Sequence, residues 1–138
     1  MKKVMCFGTF DLLHLGHLDY FKQAKNCGDY LIVVIARDKT KLDQQKLPVF
    51  NEDERLELIQ SLKIVDEAVL GYPIDHLKII QEKKPDIIFL GYDHQIKENE
   101  LRDTLLKFRL YPEIRRAKPY KSDSQKSSKL REAVLGKS

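Results

Sequence analysis

The chain has 138 residues, of which 42% are hydrophobic and 33% are charged, which suits one globular domain with one substantial core and excludes a multidomain assembly. No apolar run approaches the roughly 20 residues that cross a bilayer, and the start lacks the apolar region of a secretory signal, so we expect a cytoplasmic protein. The net charge of +4 is polarised, because residues 107–138 carry +7 and the remainder −3, which suits RNA, an anionic membrane surface or a polyphosphate ligand.

The N-terminal third of the chain has the pattern of a strand, a helix and a second strand. The short apolar run 3–7 and the β-branched run 30–36 are typical of strands buried on both faces. Between them, apolar residues at helical spacing predict a helix that begins near Gly16 and ends at the turn 26–28. The segment is therefore predicted to form a βαβ unit.

The same alternation continues along the rest of the chain. Asn51 followed by Glu54 is close to a capping box and predicts the start of a helix that carries Leu58, Ile59 and Leu62 on one side. The remaining predicted elements are a strand at 67–70, a helix with Ile74, Leu77 and Ile80 on one face, a strand at 86–90, a helix with Leu101, Leu105 and Phe108 on one face, an edge strand at 113–117 and a last helix at about 127–135.

Strands that alternate with helices predict a Rossmann-like, doubly wound α/β domain over residues 1–138, with a parallel five-stranded sheet and helices on both faces. Ligands of such sheets bind at the C-terminal ends of the strands, near the point where the strand order reverses. The stretches 39–49 and 119–126 are predicted to be weakly structured. The candidate binding loops at these strand ends begin at Gly8, Arg37, Gly71, Gly91 and Lys118.

The most informative segment follows the first strand directly and reads Gly8-Thr9-Phe10-Asp11-Leu12-Leu13-His14-Leu15-Gly16-His17. Gly8 allows the backbone to approach a ligand closely, and the amides of Thr9 and Phe10 can face an anion. His14 and His17 are three residues apart across a helix start, so both rings can project to one side, beside the positive end of the helix. Two imidazole donors there form a phosphate clamp, and the glycine between them leaves room for a nucleotide.

Two other interpretations of the histidine pair stay open on these observations alone. The first interpretation is a partial zinc site, although zinc usually takes three or four protein ligands and Cys6 is the one thiol nearby. A purely structural role is the other alternative, because short motifs also match by chance.

A second candidate phosphate site lies near the C-terminus, in Lys126-Ser127-Ser128-Lys129-Leu130-Arg131. Two hydroxyls and free backbone amides at a helix start, with Arg131 one turn on, suit the β- and γ-phosphates of a nucleotide. Taken alone, the stretch equally fits a serine cap on a basic surface helix.

The segment 8–17 resembles the signature of the nucleotidyltransferase superfamily that includes glycerol-3-phosphate cytidylyltransferase, phosphopantetheine adenylyltransferase and archaeal FAD synthase. The serine stretch is similar to the family's second signature, ISSTxxR or ISTTxxK, but Gln125 and Lys126 stand where the family has Ile-Ser, which leaves the register of the serines open. The resemblance implies that the histidines hold the nucleoside triphosphate and stabilise the transition state while the acceptor's phosphate attacks the α-phosphorus, with no covalent enzyme intermediate.

The resemblance also assigns roles to single residues. Lys46 resembles the mobile lysine that relatives close over the triphosphate, and Arg55 matches an arginine of the following helix, although both also fit ordinary solvated charges. Asp11 either orients the loop or helps to place Mg²⁺. The implied catalytic residues are His14, His17 and Lys46. The implied nucleotide-binding residues are Thr9, Phe10, His14, Leu15, Gly16, His17, Asp93, Tyr120, Ser127, Ser128 and Arg131.

Three further stretches, at 36–38, 84–95 and 111–121, are similar to archaeal FAD synthases. Asp93 is placed to accept hydrogen bonds from a ribose or an adenine amino group, and Tyr120 to stack on or bond to the nucleotide; a turn-forming Asp and a half-buried aromatic are the alternatives. The resemblance implies transfer of AMP from ATP to the phosphate of FMN with Mg²⁺, and it implies a homodimer.

Two other functions remain as alternatives. CTP:glycerol-3-phosphate cytidylyltransferase is the nearer one, but those enzymes carry Arg-Thr-x-Gly-Ile-Ser-Thr-Thr where this chain has 118–123. A non-catalytic nucleotide- or RNA-binding module is an alternative of another class, and the chain lacks the aromatic-interleaved surface of an RNA-recognition motif. We therefore expect small-molecule substrates, ATP or CTP with FMN or another phosphate monoester, and neither nucleic acid nor membrane as a partner.

Overall fold

The computed structural model describes residues 1–43 and 46–120. Its elements in chain order are β1 (Lys3–Gly8), α1 (Leu15–Lys25), β2 (Tyr30–Ile35), α2 (Asp38–Asp43), α3 (Glu52–Gln60), β3 (Glu67–Leu70), α4 (Lys78–Lys83), β4 (Ile87–Leu90), α5 (Glu98–Leu106) and β5 (Glu113–Arg116). The five strands of this part of the chain form one sheet in the order β3-β2-β1-β4-β5, and all pairings are parallel.

The sheet is covered on both faces, which explains why its central strands are continuous apolar runs. Successive side chains of a strand point to opposite faces, so β1 and β2 contribute to two separate cores. One core contains Val4, Cys6, Leu31, Val33 and Phe89 together with Phe21, Ala24 and Ile59 from α1 and α3. The other contains Met5, Ile32, Val34, Ile88 and Leu90 together with Ile79, Ile80 and Leu105 from α4 and α5. The predicted parallel α/β sheet with helices on both faces is confirmed.

The strand order reverses between β1 and β4. From β1 the chain moves outward through β2 to β3, and it then returns to the other side of β1 for β4 and β5. Cys6 of β1 lies opposite Phe89 of β4 in the parallel register, so the loops after these two strands leave the sheet side by side. A crevice at the carboxyl ends of β1 and β4 is therefore where a ligand is expected.

Four local predictions were wrong. Leu58 was expected on the same side of its helix as Ile59 but is 44% exposed, because adjacent residues of a helix point in different directions. Ile74 was expected on the buried face of a helix but is 83% exposed, since α4 begins only at Lys78. Phe108 follows the end of α5 and is 51% exposed, because the chain turns out of the helix and Arg109 takes a left-handed φ of +58°. The stretch 39–49 contains most of α2 and so is not uniformly irregular. The helix predicted at 127–135 lies outside the described residues.

No helix in the described part of the chain has the length and apolar character needed to cross a membrane.

Candidate active site

The first helix begins with a capping box made from two histidines. His14 is the N-cap of α1, and its Nδ1 accepts a hydrogen bond from the backbone N–H of Gly16 at 3.0 Å. In return, Nδ1 of His17 accepts from the backbone N–H of His14 at 3.3 Å. The rings stack with their centroids 4.0 Å apart and their planes 27° from parallel. The side chains that satisfy the open amides at the start of α1 are therefore the same ones that the sequence predicts to bind phosphate.

This capping fixes the tautomer of both rings. A backbone amide can only donate, so Nδ1 of each histidine must be unprotonated and accept. A neutral imidazole that accepts at Nδ1 carries its proton on Nε2, so His14 and His17 each present an Nε2–H donor away from the helix cap. Two such donors beside the positive end of a helix suit an anionic oxygen.

Both rings are held neutral by their surroundings. Burial lowers the pKa of His17 to about 4, the charge of His14 acts in the same direction, and the carboxylate of Asp93 opposes them. Burial also lowers the pKa of His14. Near neutral pH both imidazoles are therefore hydrogen-bond donors without a full charge.

The loop before the histidines is anchored by Phe10, whose backbone takes a left-handed φ of +54° and whose ring is 5% exposed. The ring meets His17 edge-on at 5.5 Å and packs against Phe21 at 5.1 Å. A Cβ atom on Gly8 would lie 2.6 Å from Cζ of Phe10. The space above Gly8, which we expected a ligand to approach, is thus filled by the Phe10 ring, and the glycine serves to admit that ring.

Asp11 connects the motif loop to the segment that carries Lys46. Its two carboxylate oxygens accept from the backbone N–H groups of Val49 and Phe50 at 2.7 and 2.8 Å. The side chain is nearly buried, so this pairing fixes the path of the chain between α2 and α3. Lys46 itself is exposed and lies just before this anchored point.

Arg55 is fully buried and bonds entirely within the protein. Its guanidinium donates to the carbonyl oxygens of Phe50 at 3.1 Å, Thr9 at 2.9 Å and Ala36 at 2.8 Å, and to a carboxylate oxygen of Asp38 at 2.6 Å. These four bonds join the loops that leave β1 and β2 to the start of α3. The ordinary solvated charge that the sequence allowed for Arg55 is wrong, because the side chain is fully buried. Its contacts are those of structural support.

The loop after β4 brings a further histidine to the same edge of the sheet. Burial lowers the pKa of His94, as it lowers that of His17, and the charge of the exposed Asp93 acts against burial at both rings. Nδ1 of His94 accepts from the backbone N–H of Gly91 at 2.9 Å, and its ring meets the ring of Tyr20 edge-on at 6.1 Å. The crevice between β1 and β4 is therefore lined by three imidazoles and one carboxylate.

Two residues of this edge, His94 and Arg116, were not predicted as site residues. Arg116, the last residue of β5, donates to the carbonyl oxygens of Gly91 at 2.9 Å and His94 at 2.7 Å. His94 had a usable signal, since it follows a glycine that ends a buried parallel strand. Arg116 had none, because its partners are backbone atoms of a loop some twenty residues earlier in the chain.

The other predicted residues are only partly placed together. Thr9, Leu15 and Gly16 lie in the motif loop and the first turn of α1, with Leu15 54% exposed. Tyr120 is half-buried after β5. Ser127, Ser128 and Arg131 lie outside the described residues.

The donor set suits a metal ion that arrives on a nucleotide better than a zinc site. Burial raises the pKa of the Cys6 thiol, whereas zinc binds the thiolate. Among residues 1–43 and 46–120, no three His, Cys, Asp or Glu side chains are grouped to hold a metal. Mg²⁺ is commonly held by substrate phosphates with one or two carboxylates, and the exposed Asp93 is a carboxylate at this edge.

Comparison with known proteins identifies the family. Residues 5–133 match the model of the cytidylyltransferase-like family. The FAD synthase of Thermoplasma volcanium is 44% identical over 135 residues, which are 98% of this chain and 95% of that protein. The FAD synthase of Thermoplasma acidophilum is 41% identical over 135 residues, with the same shares of the two chains, 98% and 95%. The chain belongs to the cytidylyltransferase-like family and is a nucleotidyltransferase.

A solved structure agrees with the fold. The crystal structure described as the lipopolysaccharide core biosynthesis protein from Thermoplasma volcanium superposes with a TM-score of 0.85 at 48% identity. The match covers 87% of this chain and 98% of that one.

We predict that Arg55→Met destabilises the protein by about 3–5 kcal/mol, because methionine fills the space but leaves three carbonyl oxygens and Asp38 without their donor. Urea unfolding measures the loss. The matched control is Arg102→Met, which removes an exposed arginine from α5 and should change the free energy of unfolding by less than about 0.5 kcal/mol. A stable Arg55→Met protein with weakened nucleotide binding would instead make Arg55 a phosphate ligand.

We also predict that stability falls on acidification through His17. Its folded pKa of about 4 lies below the ordinary value of 6.5, so the unfolded chain binds more protons between these values. The contribution, about 3 kcal/mol, is complete above pH 6.5 and is lost as the pH falls toward 4. Urea unfolding at several pH values should show a shallower acid slope for His17→Asn, which retains a hydrogen-bond acceptor near the Nδ1 position. Identical slopes for the two proteins would contradict the prediction.

Proposed function

We propose that the protein is an FMN adenylyltransferase. An oxygen of the FMN phosphate attacks the α-phosphorus of ATP, a new P–O bond forms, and the bond from the α-phosphorus to the bridging oxygen breaks, giving FAD and pyrophosphate. The observation that carries the proposal is the pair of neutral Nε2–H donors at the start of α1, in a chain that aligns over 98% of its length with relatives named FAD synthase.

The chemistry asks the protein mainly for positioning and electrostatic stabilisation. The phosphate of FMN is largely ionised near pH 7, since the second pKa of a phosphate monoester is about 6, so the nucleophile needs no general base. Charge on the oxygens of the transferring phosphoryl group is stabilised by donors that are already oriented. His14 and His17 provide such donors, because the capping bonds hold the rings before substrate arrives.

The remaining assignments complete the proposed site. Lys46, Ser127, Ser128 and Arg131 hold the leaving pyrophosphate, and Asp93 and Tyr120 face the nucleoside. A Mg²⁺ ion held by the triphosphate, with the carboxylate of Asp93 near it, would offset the charge of the phosphates. Assembly as a homodimer stays a prediction from the family resemblance, and a cytoplasmic location stays a prediction from the sequence.

The names of the relatives leave one question for experiment. The curated relative from Thermoplasma volcanium is named FAD synthase, whereas the solved structure from the same organism is described as a lipopolysaccharide core biosynthesis protein. Adenylyl transfer to FMN is preferred because further relatives, 38–42% identical, also carry the name FAD synthase. Glycerol 3-phosphate with CTP is retained as the alternative reaction.

The test is a matched pair of reactions with purified protein and Mg²⁺, one with FMN and ATP and one with glycerol 3-phosphate and CTP, with products separated by chromatography. We expect FAD and pyrophosphate from the first and no CDP-glycerol from the second. CDP-glycerol alone would retain the phosphate site and overturn the flavin assignment. No product in either reaction would contradict the proposed function.

Two substitutions of His17 separate capping from catalysis. His17→Asn keeps an acceptor for the amide of His14 but loses the Nε2–H donor, and we expect turnover to fall about 10²–10³-fold with little change in stability. His17→Gln places an amide near the Nε2 position but loses the cap, and should cost about 1 kcal/mol of stability while keeping more activity than the Asn variant. Equal activity of wild type and His17→Asn would remove His17 from the mechanism.

A further inference from the structure

The loop between β4 and α5 contains no helix or strand, and the side chain of Arg116 bonds it at several points. Arg116 donates from its guanidinium to the carbonyl oxygens of Gly91 at 2.9 Å, of His94 at 2.7 Å and of Ile96. It also donates from Nε to the carboxylate of Glu98 at 2.9 Å. One planar group thus fixes the loop at its start, its middle and its junction with α5.

The geometry requires an arginine. The fork of a guanidinium can reach several acceptors in one plane, whereas the single ammonium of lysine acts as a point charge. Arg116 is the last residue of β5, and the next residue, Ala117, donates its backbone N–H to the carbonyl oxygen of Leu90 of β4 at 2.8 Å. Arg116 therefore lies where β5 is still paired with the end of β4, next to the start of the loop that its guanidinium bonds.

The held loop contains Asp93 and His94. Nδ1 of His94 accepts from the backbone N–H of Gly91 and is therefore unprotonated. The neutral ring of His94, like that of His14, carries its proton on Nε2. The His94 ring lies across Gly91, where an added Cβ would come within 3.0 Å of the imidazole. The loop also borders a groove of about 560 Å³ whose lining includes His94, Lys97, Asn99 and Arg116.

We propose that Arg116 is a positioning residue for nucleoside recognition, because it holds the loop 91–98 so that Asp93 and His94 face the base and ribose of the bound nucleotide. The inference rests on the proposed function, since it takes the nucleotide to bind between the loops of β1 and β4. It extends that function by assigning discrimination between nucleotides to a residue that does not touch the reacting atoms.

The test compares Arg116→Lys with Arg115→Lys in steady-state FAD formation, varying ATP and FMN separately. Arg115 is the neighbouring residue of β5, it is exposed, and its side chain pairs with Glu113. For Arg116→Lys we expect the KM for ATP to rise about tenfold or more while the KM for FMN stays within about twofold, since misplacement by about 1 Å is costly at a recognition site. The ratio of kcat/KM for ATP over CTP should also fall. Arg115→Lys should leave all of these values unchanged.

Other outcomes are distinguishable. Equal effects on the KM values for ATP and FMN, or lower thermal stability with unchanged kinetic constants, would overturn the inference and leave Arg116 merely structural. If the wild-type protein forms no FAD from ATP and FMN, the proposed function itself is overturned instead. If Arg116→Lys does not fold, Glu98→Gln tests the same point, because the substitution weakens one anchor of the guanidinium. The KM for ATP should then rise, by less than in Arg116→Lys. An unchanged KM for ATP would count against the inference.

Discussion

The structure depends most on the capping hydrogen bonds that the side chains of two histidines accept from backbone amides at the start of α1. A helix start needs acceptors for its open amides, and His14 and His17 supply them through Nδ1. Each ring that accepts at Nδ1 must donate at Nε2. The bonds that start the helix thus also orient the two Nε2–H donors that, in the proposed function, face a phosphoryl group. The Phe10 ring packs edge-on against His17 and occupies the space that a side chain at position 8 would fill, so it supports the histidine pair.

Two buried or half-buried arginines extend this ordering to the surrounding loops. Arg55 bonds carbonyl oxygens from the loops that leave β1 and β2, and Arg116 bonds those of the loop that leaves β4. Loops at the carboxyl ends of parallel strands have few backbone partners of their own, so a guanidinium with several donors can replace a ladder of hydrogen bonds. Arg55 and Arg116 therefore shape these loops through bonds within the protein, and in the proposed function phosphate is bound by other groups, among them the neutral imidazoles of His14 and His17.

The sequence predicts the sheet and the histidine pair well because both depend on local patterns. Continuous apolar runs identify buried strands, and the segment 8–17 contains its chemistry within ten residues. Ile74 and Phe108 were misplaced because helical spacing of apolar residues does not reveal where a helix begins or ends. The bonds of Arg55 and Arg116 were out of reach for a different reason, since their partners are backbone oxygens brought close only by the fold. A buried arginine looks the same in a sequence as a solvated one.

The most direct test of this account is the tautomer of the histidines at pH 7, measured by long-range ¹H–¹⁵N correlation of the imidazole rings. The chain has four histidines, and His14→Asn and His17→Asn assign the two signals of interest by their disappearance. Both rings should be neutral, with the proton on Nε2 and Nδ1 unprotonated. A proton on Nδ1 of either ring, or a charged imidazolium at pH 7, would contradict the capping arrangement and the donor role built on it.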